Sequence, residues 1–152
     1  MDGPTVLVSL CLLGIDCRYD GKANPVDLDR LAARCHLVPL CPEQLGGLPT
    51  PRVSAERRGT KVVTRDGRDV TAAFERGAEL ACRLARRFGA RYALMKARSP
   101  SCGSSSVYDG SFTGALIPGD GVAAEALRAM GVEIYDEGHI DELIERLDGE
   151  CL

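Results

Sequence analysis

Short apolar stretches of strand length alternate with helical patterns along this chain, and this alternation is the feature that most constrains its fold. The strand-like runs are TVLVSL (5–10), HLVPL (36–40), KVVT (61–64), RYALMK (91–96) and VEIY (132–135). Helical patterns cover 28–33, 69–89, 119–131 and 140–147. Strands that alternate with helices favour a mostly parallel sheet with helices on both faces. We therefore predict an α/β fold, a three-layer αβα and Rossmann-like arrangement, as a single domain over residues 1–152.

The clearest helical pattern begins after Asp69, a residue type that caps helix N-termini, and stops at Gly89. Apolar residues recur at helical spacing along it, and we expect all of them on the buried face: Val70, Phe74, Ala78, Ala81, Ala85 and Phe88. The run HLVPL predicts a second buried strand. We expect the basic segment from Arg52 to Arg68 to be a solvated loop or hairpin.

Composition limits the partners of this chain. It has 152 residues and a net charge of −3, with 45% hydrophobic and 27% charged residues, values typical of a globular domain. No basic block indicates a nucleic-acid partner, and no run approaches the roughly 20 apolar residues that span a bilayer. The N-terminus lacks the basic start of a signal peptide. We expect a cytoplasmic location without a membrane partner, and no feature indicates an oligomeric state.

Three of the seven cysteines follow predicted strands and precede loops rich in Gly, Pro or Ser. Cys11 ends the first strand, Cys41 ends the second, and Cys102 lies in the loop SPSCGSSS after the strand at 91–96. Because ligands bind beyond the carboxyl ends of parallel strands, we expect the three thiols to meet at one site. Each one taken singly is equally explained as a buried, inert thiol.

Three thiolates without a histidine leave one position of a four-coordinate centre open. This donor set suits a catalytic zinc or an iron–sulfur cluster with one iron not held by protein. A zinc-binding module without catalysis is the alternative. Among the other cysteines, Cys17 is a packing residue, a supporting fourth thiol or a resolving partner. We expect Cys35, Cys82 and Cys151 to be structural or incidental.

Glu43 stands two residues after Cys41 and is a candidate general base, although a surface loop glutamate explains it equally well. Ser99, Ser101, Ser104, Ser105 and Ser106 supply hydroxyl groups near Cys102. A second alternative is a cysteine-dependent phosphatase or arsenate reductase, since Cys11 is followed by Arg18. However, six residues separate that pair, one more than the phosphate loop of those enzymes has.

Four motifs, in this order, resemble the thiouracil desulfidase family: SLCLLGIDCRYDGKAN, PLCPEQLGGLPTPR, GRDVTAAFERGA and LMKARSPSCGSSSVYDGSFTG. The resemblance covers roughly Val6 to Leu147. It implies a [4Fe–4S] cluster held by Cys11, Cys41 and Cys102, with the fourth iron free to take sulfur from the substrate. It further implies that Glu43 is the catalytic carboxylate and Ser99 the second catalytic group, with Ser101 as another candidate. The implied reaction removes sulfur from a small thiolated pyrimidine, of the 2- or 4-thiouracil type, and leaves uracil and sulfide.

Overall fold

The computed structural model describes residues 3–150. The strands, numbered in chain order, are β1 (Thr5–Ser9), β2 (His36–Leu40), β3 (Ala55–Arg58), β4 (Lys61–Thr64), β5 (Tyr92–Leu94), β6 (Ser106–Tyr108), β7 (Leu116–Pro118) and β8 (Glu133–Tyr135). The α-helices are α1 (Asp29–Ala32), α2 (Pro42–Leu45), α3 (Thr71–Phe88), α4 (Val122–Ala129) and α5 (Ile140–Glu150), and a 3₁₀ helix covers Leu10–Leu13.

The central sheet has the order β2-β1-β5-β8, and all three strand pairs are parallel. Val6 and Val8 of β1 point into a core with α1 and α5, whereas Leu7 between them points into a core with α3 and α4. Alternate residues of one strand therefore serve two apolar layers. This arrangement confirms the predicted α/β class with helices on both faces of a parallel sheet.

Helix α3 packs one face, made of Phe74 and several small residues, against the core, as its periodicity predicts. Phe74, Ala78, Ala81 and Ala85 are buried, and Gly89 ends the helix with a left-handed φ of 65°. Asp69 accepts a hydrogen bond from the Thr71 amide at 2.9 Å. The expectation for Phe88 is wrong, because its side chain is 52% exposed. Residues 86–89 are all exposed, so the apolar stripe continues past the part of the helix that neighbours cover.

Strand β2 lies at the edge of the sheet, which corrects its prediction as a buried strand. His36 and Pro39 are exposed, Leu37 and Val38 are half-buried, and only Leu40 is buried. Proline lacks an amide donor and is tolerated on an edge strand for that reason. Because β2 pairs with β1, its buried carboxyl end lies next to β1, and Cys41 follows directly after it.

Two antiparallel hairpins lie outside the central sheet, β3 with β4 and β6 with β7. The first confirms a hairpin within the basic segment 52–68, although Glu56 and Val62 are buried. Both hairpins carry residues to the cavity described below. Within residues 3–150, no helix combines the length and apolar character needed to cross a bilayer.

Helix α2 contacts α3 backbone against backbone, because glycine lies on both sides of the crossing, at Gly77 in α3 and at Gly46 directly after α2. A Cβ added to Gly46 would lie 2.0 Å from the Ala73 carbonyl oxygen, and one added to Gly77 would lie 2.0 Å from the Pro42 carbonyl oxygen. No side chain larger than hydrogen fits at either position. The contact fixes α2 relative to the core, and with it Glu43 in the first turn of the helix and Cys41 directly before it.

We predict that Gly77→Ala lowers the free energy of unfolding by about 1–3 kcal/mol, because overpacking must displace α2. Gly149→Ala is the matched control, since an added Cβ on that helical glycine meets no atom within 4 Å. The control should leave stability unchanged or raise it slightly. Urea unfolding of the two variants checks the difference, and equal midpoints would contradict this packing.

Candidate functional site

A cavity of about 540 Å³ opens at the carboxyl ends of β1, β2 and β5. Cys11, Cys41 and Cys102 all line it, together with Glu43, Ser99 and Ser101. Its volume lies within the usual range of ligand pockets. The structure thus brings these six residues to one cavity, whereas Ser104, Ser105 and Ser106 do not line it.

Cys11 is presented by a tight turn directly after β1. The carbonyl oxygen of Cys11 accepts hydrogen bonds from the amides of Gly14 at 3.2 Å and Asn24 at 2.9 Å. Gly14 has a left-handed φ of 88°, which glycine adopts without strain. These bonds close the loop after β1 and hold Cys11, which is buried, at the cavity wall.

Cys41 is the residue immediately before α2, and Pro42 is the first residue of that helix. Proline suits the first helical position because its missing amide would have no partner there. The Leu45 amide donates to the Cys41 carbonyl at 2.9 Å, which anchors the turn. A single tight turn therefore places a thiol and the Glu43 carboxylate in the same cavity.

Cys102 lies in a loop that is bound to the N-terminus of α4. The amides of Val122 and Ala123 donate to the carbonyls of Pro100 and Ser101 at 2.8 and 2.9 Å. These carbonyls satisfy amides that have no partner within the helix. A Cβ on Gly121 would lie 2.5 Å from the Ser101 backbone carbon, and one on Gly103 would lie 2.7 Å from the Ser99 carbonyl oxygen. The two glycines allow the close contact that holds Cys102 in place.

Burial disfavours the thiolate forms of Cys11 and Cys102. It raises the pKa of the Cys102 thiol to about 12, against the opposing effect of hydrogen bonds from the Ser9 and Ser101 hydroxyls. Burial also raises the pKa of Cys11, and the nearby Lys96 ammonium opposes that shift. The Cys41 charge raises both pKa values, which reflects the proximity of the three sulfurs. Both thiols are protonated near neutral pH, so a metal that binds them as thiolates must release their protons.

Glu43 connects two loops, those of Arg52 and Ser101, through its two carboxylate oxygens. Its Oε1 accepts a hydrogen bond from Arg52 Nε at 3.0 Å, and its Oε2 accepts one from the Ser101 hydroxyl at 2.9 Å. The Arg52 side chain is 7% exposed and that of Glu43 14% exposed. The geometry therefore favours a carboxylate fixed in the cavity over a solvated loop glutamate.

Ser99 organises the loop that carries Cys102. Its Oγ accepts hydrogen bonds from the amides of Ser101 and Cys102, each at 3.1 Å, and lies 3.1 Å from Ser101 Oγ. Ser101 is 1% exposed and is the serine in direct contact with Glu43. The two hydroxyls thus form a short chain that starts at the carboxylate.

The remaining cysteines differ in their distance from the site. Cys17 is buried and lines the cavity, and its carbonyl oxygen accepts a hydrogen bond from Arg52 Nη2 at 3.0 Å. Burial and the charges of Cys41 and Cys11 raise the pKa of Cys17. Cys35 and Cys82 do not line the cavity, and burial raises the pKa of Cys35 to about 11. Cys151 lies outside the described residues.

Of the cations that line this cavity, the sequence patterns singled out only Arg18. Five cationic side chains line its described part, against two carboxylates, those of Glu43 and Glu56: Arg18, Arg52, Arg65, Lys96 and Arg98. The chain as a whole carries −3, so the positive charge is concentrated here. Arg52 follows a proline in a loop, where no local pattern indicates its pairing with Glu43.

The loop after Cys11 does not have the geometry of a phosphate loop. Such a loop directs successive backbone amides at one anion. Here the amides of Gly14, Cys17 and Arg18 donate to the chain's own carbonyls, those of Cys11, Ile15 and Lys22. The structure therefore does not favour the phosphatase alternative.

The cavity also lacks the arrangement expected for a single metal ion. Among residues 3–150, no group of three or more His, Cys, Asp or Glu side chains could hold one. A structural zinc ion requires four such ligands around one centre. In an iron–sulfur cluster, by contrast, thiolates bind different irons, so they need not converge on one point.

Comparison with known proteins agrees with these features. The family model described as 2-thiouracil desulfurase matches residues 6–139. The chain belongs to the 2-thiouracil desulfurase family. The match includes Cys11, Cys41 and Cys102 and both hairpins, so the site lies entirely within the family region.

Two similar proteins extend the comparison over nearly the whole chain. A solved structure described as the [4Fe-4S]-dependent thiouracil desulfidase TudS is 46% identical, with a TM-score of 0.91, and the match covers 95% of this chain and 98% of that one. YbbK from Bacillus subtilis (strain 168), described as uncharacterized, is 37% identical over 150 residues, covering 91% of this chain and 99% of YbbK.

We predict that Arg52→Met lowers the free energy of unfolding by about 3 kcal/mol, because it leaves the Glu43 carboxylate without its counterion in a largely buried site. Arg83→Met is the control, since the Arg83–Glu79 pair is exposed on α3 and should contribute about 0.5 kcal/mol. Adding Glu43→Gln to Arg52→Met should recover part of the loss. Urea unfolding measures these three variants and Glu43→Gln alone, and strictly additive effects of Arg52→Met and Glu43→Gln would rule out the coupling.

Proposed function

We propose that this chain is a [4Fe–4S]-dependent desulfidase that removes sulfur from a thiolated uracil of the 2- or 4-thio type. One observation carries the proposal: three thiols from the ends of three parallel strands share a cavity with a fixed Glu43–Ser101 pair. Membership in the 2-thiouracil desulfurase family and the similarity to TudS support the same activity.

The donor set suits the cluster. Cys11, Cys41 and Cys102 would hold it, because thiolates are the usual ligands of cubane iron–sulfur clusters. Three protein ligands leave one iron free for another ligand. The five cationic side chains that line the cavity favour the negative charge that three thiolates introduce. The cluster, when bound, supplies a soft Lewis acid for a thiocarbonyl sulfur and so makes the attached carbon more electrophilic.

Glu43 is the proposed general base. A base for this reaction must take a proton from the water that attacks the thiocarbonyl carbon. Arg52 holds one carboxylate oxygen of Glu43, so the carboxylate keeps a fixed orientation in the cavity. Water bound beside the other oxygen, Oε2, can donate its proton there.

Ser101 is the proposed partner of Glu43, and Ser99 the residue that orients it. The Ser101 hydroxyl donates to Glu43 Oε2, so it can pass a proton between that carboxylate and a ring nitrogen of the substrate. Ser99 accepts from two loop amides and lies beside Ser101 Oγ. In this assignment Ser101, rather than Ser99, makes the direct catalytic contact.

We predict that Glu43→Gln lowers the rate of sulfide release from thiouracil by about 10²- to 10⁴-fold, the usual contribution of a general base. Ser101→Ala should lower it by about 10²-fold, and Ser99→Ala by less. The measurement is anaerobic sulfide release at equal cluster content, quantified as iron and sulfide per chain. Glu79→Gln, an exposed carboxylate on α3, is the matched control.

Two results would contradict these roles. A Glu43→Gln variant that keeps its cluster and works within twofold of the unmodified protein would exclude Glu43 as the base. A cluster-loaded protein that releases no sulfide from either 2- or 4-thiouracil would exclude the proposed activity itself.

A further inference from the structure

A loop over residues 110–114 forms part of the cavity wall. None of the catalytic groups assigned above belongs to this loop. Phe112 and Gly114 line the cavity, as does Tyr108 at the end of β6. The Phe112 side chain is half-buried, although its neighbours Ser111 and Thr113 are exposed. The loop therefore carries an aromatic ring to the same cavity as the cysteines.

A buried carboxylate outside the proposed mechanism holds this loop. Glu56 of β3 is 9% exposed, and its Oε1 accepts hydrogen bonds from the amides of Gly110 at 3.0 Å and Phe112 at 3.1 Å. Burying a carboxylate is costly unless it is hydrogen-bonded, and bonds from amides to an ionised acceptor are strong. Glu56 thus fixes the backbone on both sides of Ser111.

Phe112 is held in a conformation that its residue type avoids. Its φ of 58° is left-handed, a region that is uncommon for residues other than glycine, especially bulky ones. The Arg65 guanidinium carbon lies 5.0 Å from the centre of the Phe112 ring, and Arg65 also lines the cavity. Two separate contacts, one to the backbone and one to the ring, therefore determine where the ring lies.

We propose that Phe112 is the surface against which the flat pyrimidine ring of the substrate stacks, and that Glu56 is the positioning residue of Phe112. The inference rests on the proposed function and extends it, because it names what selects the substrate class. Stacking on an aromatic side chain favours planar heteroaromatic rings. The site would then prefer ring thiocarbonyl compounds to open-chain thioamides.

The test compares Phe112→Ala with Phe112→Tyr, which keeps the ring, and with Phe88→Ala, which removes an exposed phenylalanine remote from the cavity. The readouts are KM and kcat for thiouracil and, by calorimetry, the Kd for uracil, all at equal cluster content. We expect Phe112→Ala to raise KM and Kd about 10- to 100-fold, the range of base–aromatic stacking, with kcat changed less than threefold. Phe112→Tyr and Phe88→Ala should keep both constants within threefold.

A double variant tests the role of Glu56. If Glu56 acts through Phe112, then Glu56→Ala raises KM and Kd, and adding it to Phe112→Ala raises neither further. Glu56→Gln, which keeps an acceptor oxygen, should have a smaller effect and serves as the readout if Glu56→Ala fails to fold. Additive effects would overturn the positioning role.

The outcomes separate this inference from the proposed function. Unchanged KM and Kd in Phe112→Ala, in a protein that releases sulfide, would overturn stacking alone. A loaded protein that binds uracil through Phe112 but releases no sulfide would overturn the activity and leave stacking supported. A fall in kcat with unchanged KM and Kd would also overturn stacking, because a merely structural role of Phe112 gives that result.

Discussion

The parallel pairing of three strands is the constraint on which the rest of this structure depends. Because β1 pairs in parallel with β2 on one side and β5 on the other, their carboxyl ends lie next to one another at one edge of the sheet. Cys11, Cys41 and Cys102 follow those three ends. Residues far apart in sequence thus reach one cavity through the backbone hydrogen bonds of the sheet, without any direct bond between the thiols.

Close backbone contacts then fix the loops that carry the thiols. Gly46 and Gly77 let α2 contact α3. Gly121 lets the start of α4 contact the Cys102 loop, and Gly103 lets that loop fold closely on itself at Ser99. Helices α3 and α4, which form these contacts, are packed on the apolar layer that contains Leu7 and Met95. Glu43 and Glu56 add two carboxylates that tie further loops to the cavity. The site is therefore held from the core outward.

The sequence allowed prediction of the parts that depend on local pattern. Strands β2 and β4 have the predicted bounds, and the strand order along the chain was enough to expect the three cysteines at one site. It did not predict that Phe88 is exposed, because periodicity cannot tell where neighbouring elements stop covering a helix. The pairing of Arg52 with Glu43 and of Glu56 with the amides of Gly110 and Phe112 joins loops that only the folded chain brings together. No regular spacing in the sequence indicates such contacts.

The central claim is that Cys11, Cys41 and Cys102 hold a cluster with an iron free of protein ligands. The most direct measurement is the iron, sulfide and zinc content of protein purified without oxygen, together with its visible absorbance, for the unmodified chain, Cys102→Ala and the control Cys35→Ala. Cys35 is buried as Cys102 is, but it lies away from the cavity. The account predicts about four irons and four sulfides per chain in the unmodified protein and in Cys35→Ala, and their loss in Cys102→Ala. A colourless protein with stoichiometric zinc, even after cluster reconstitution, would contradict it.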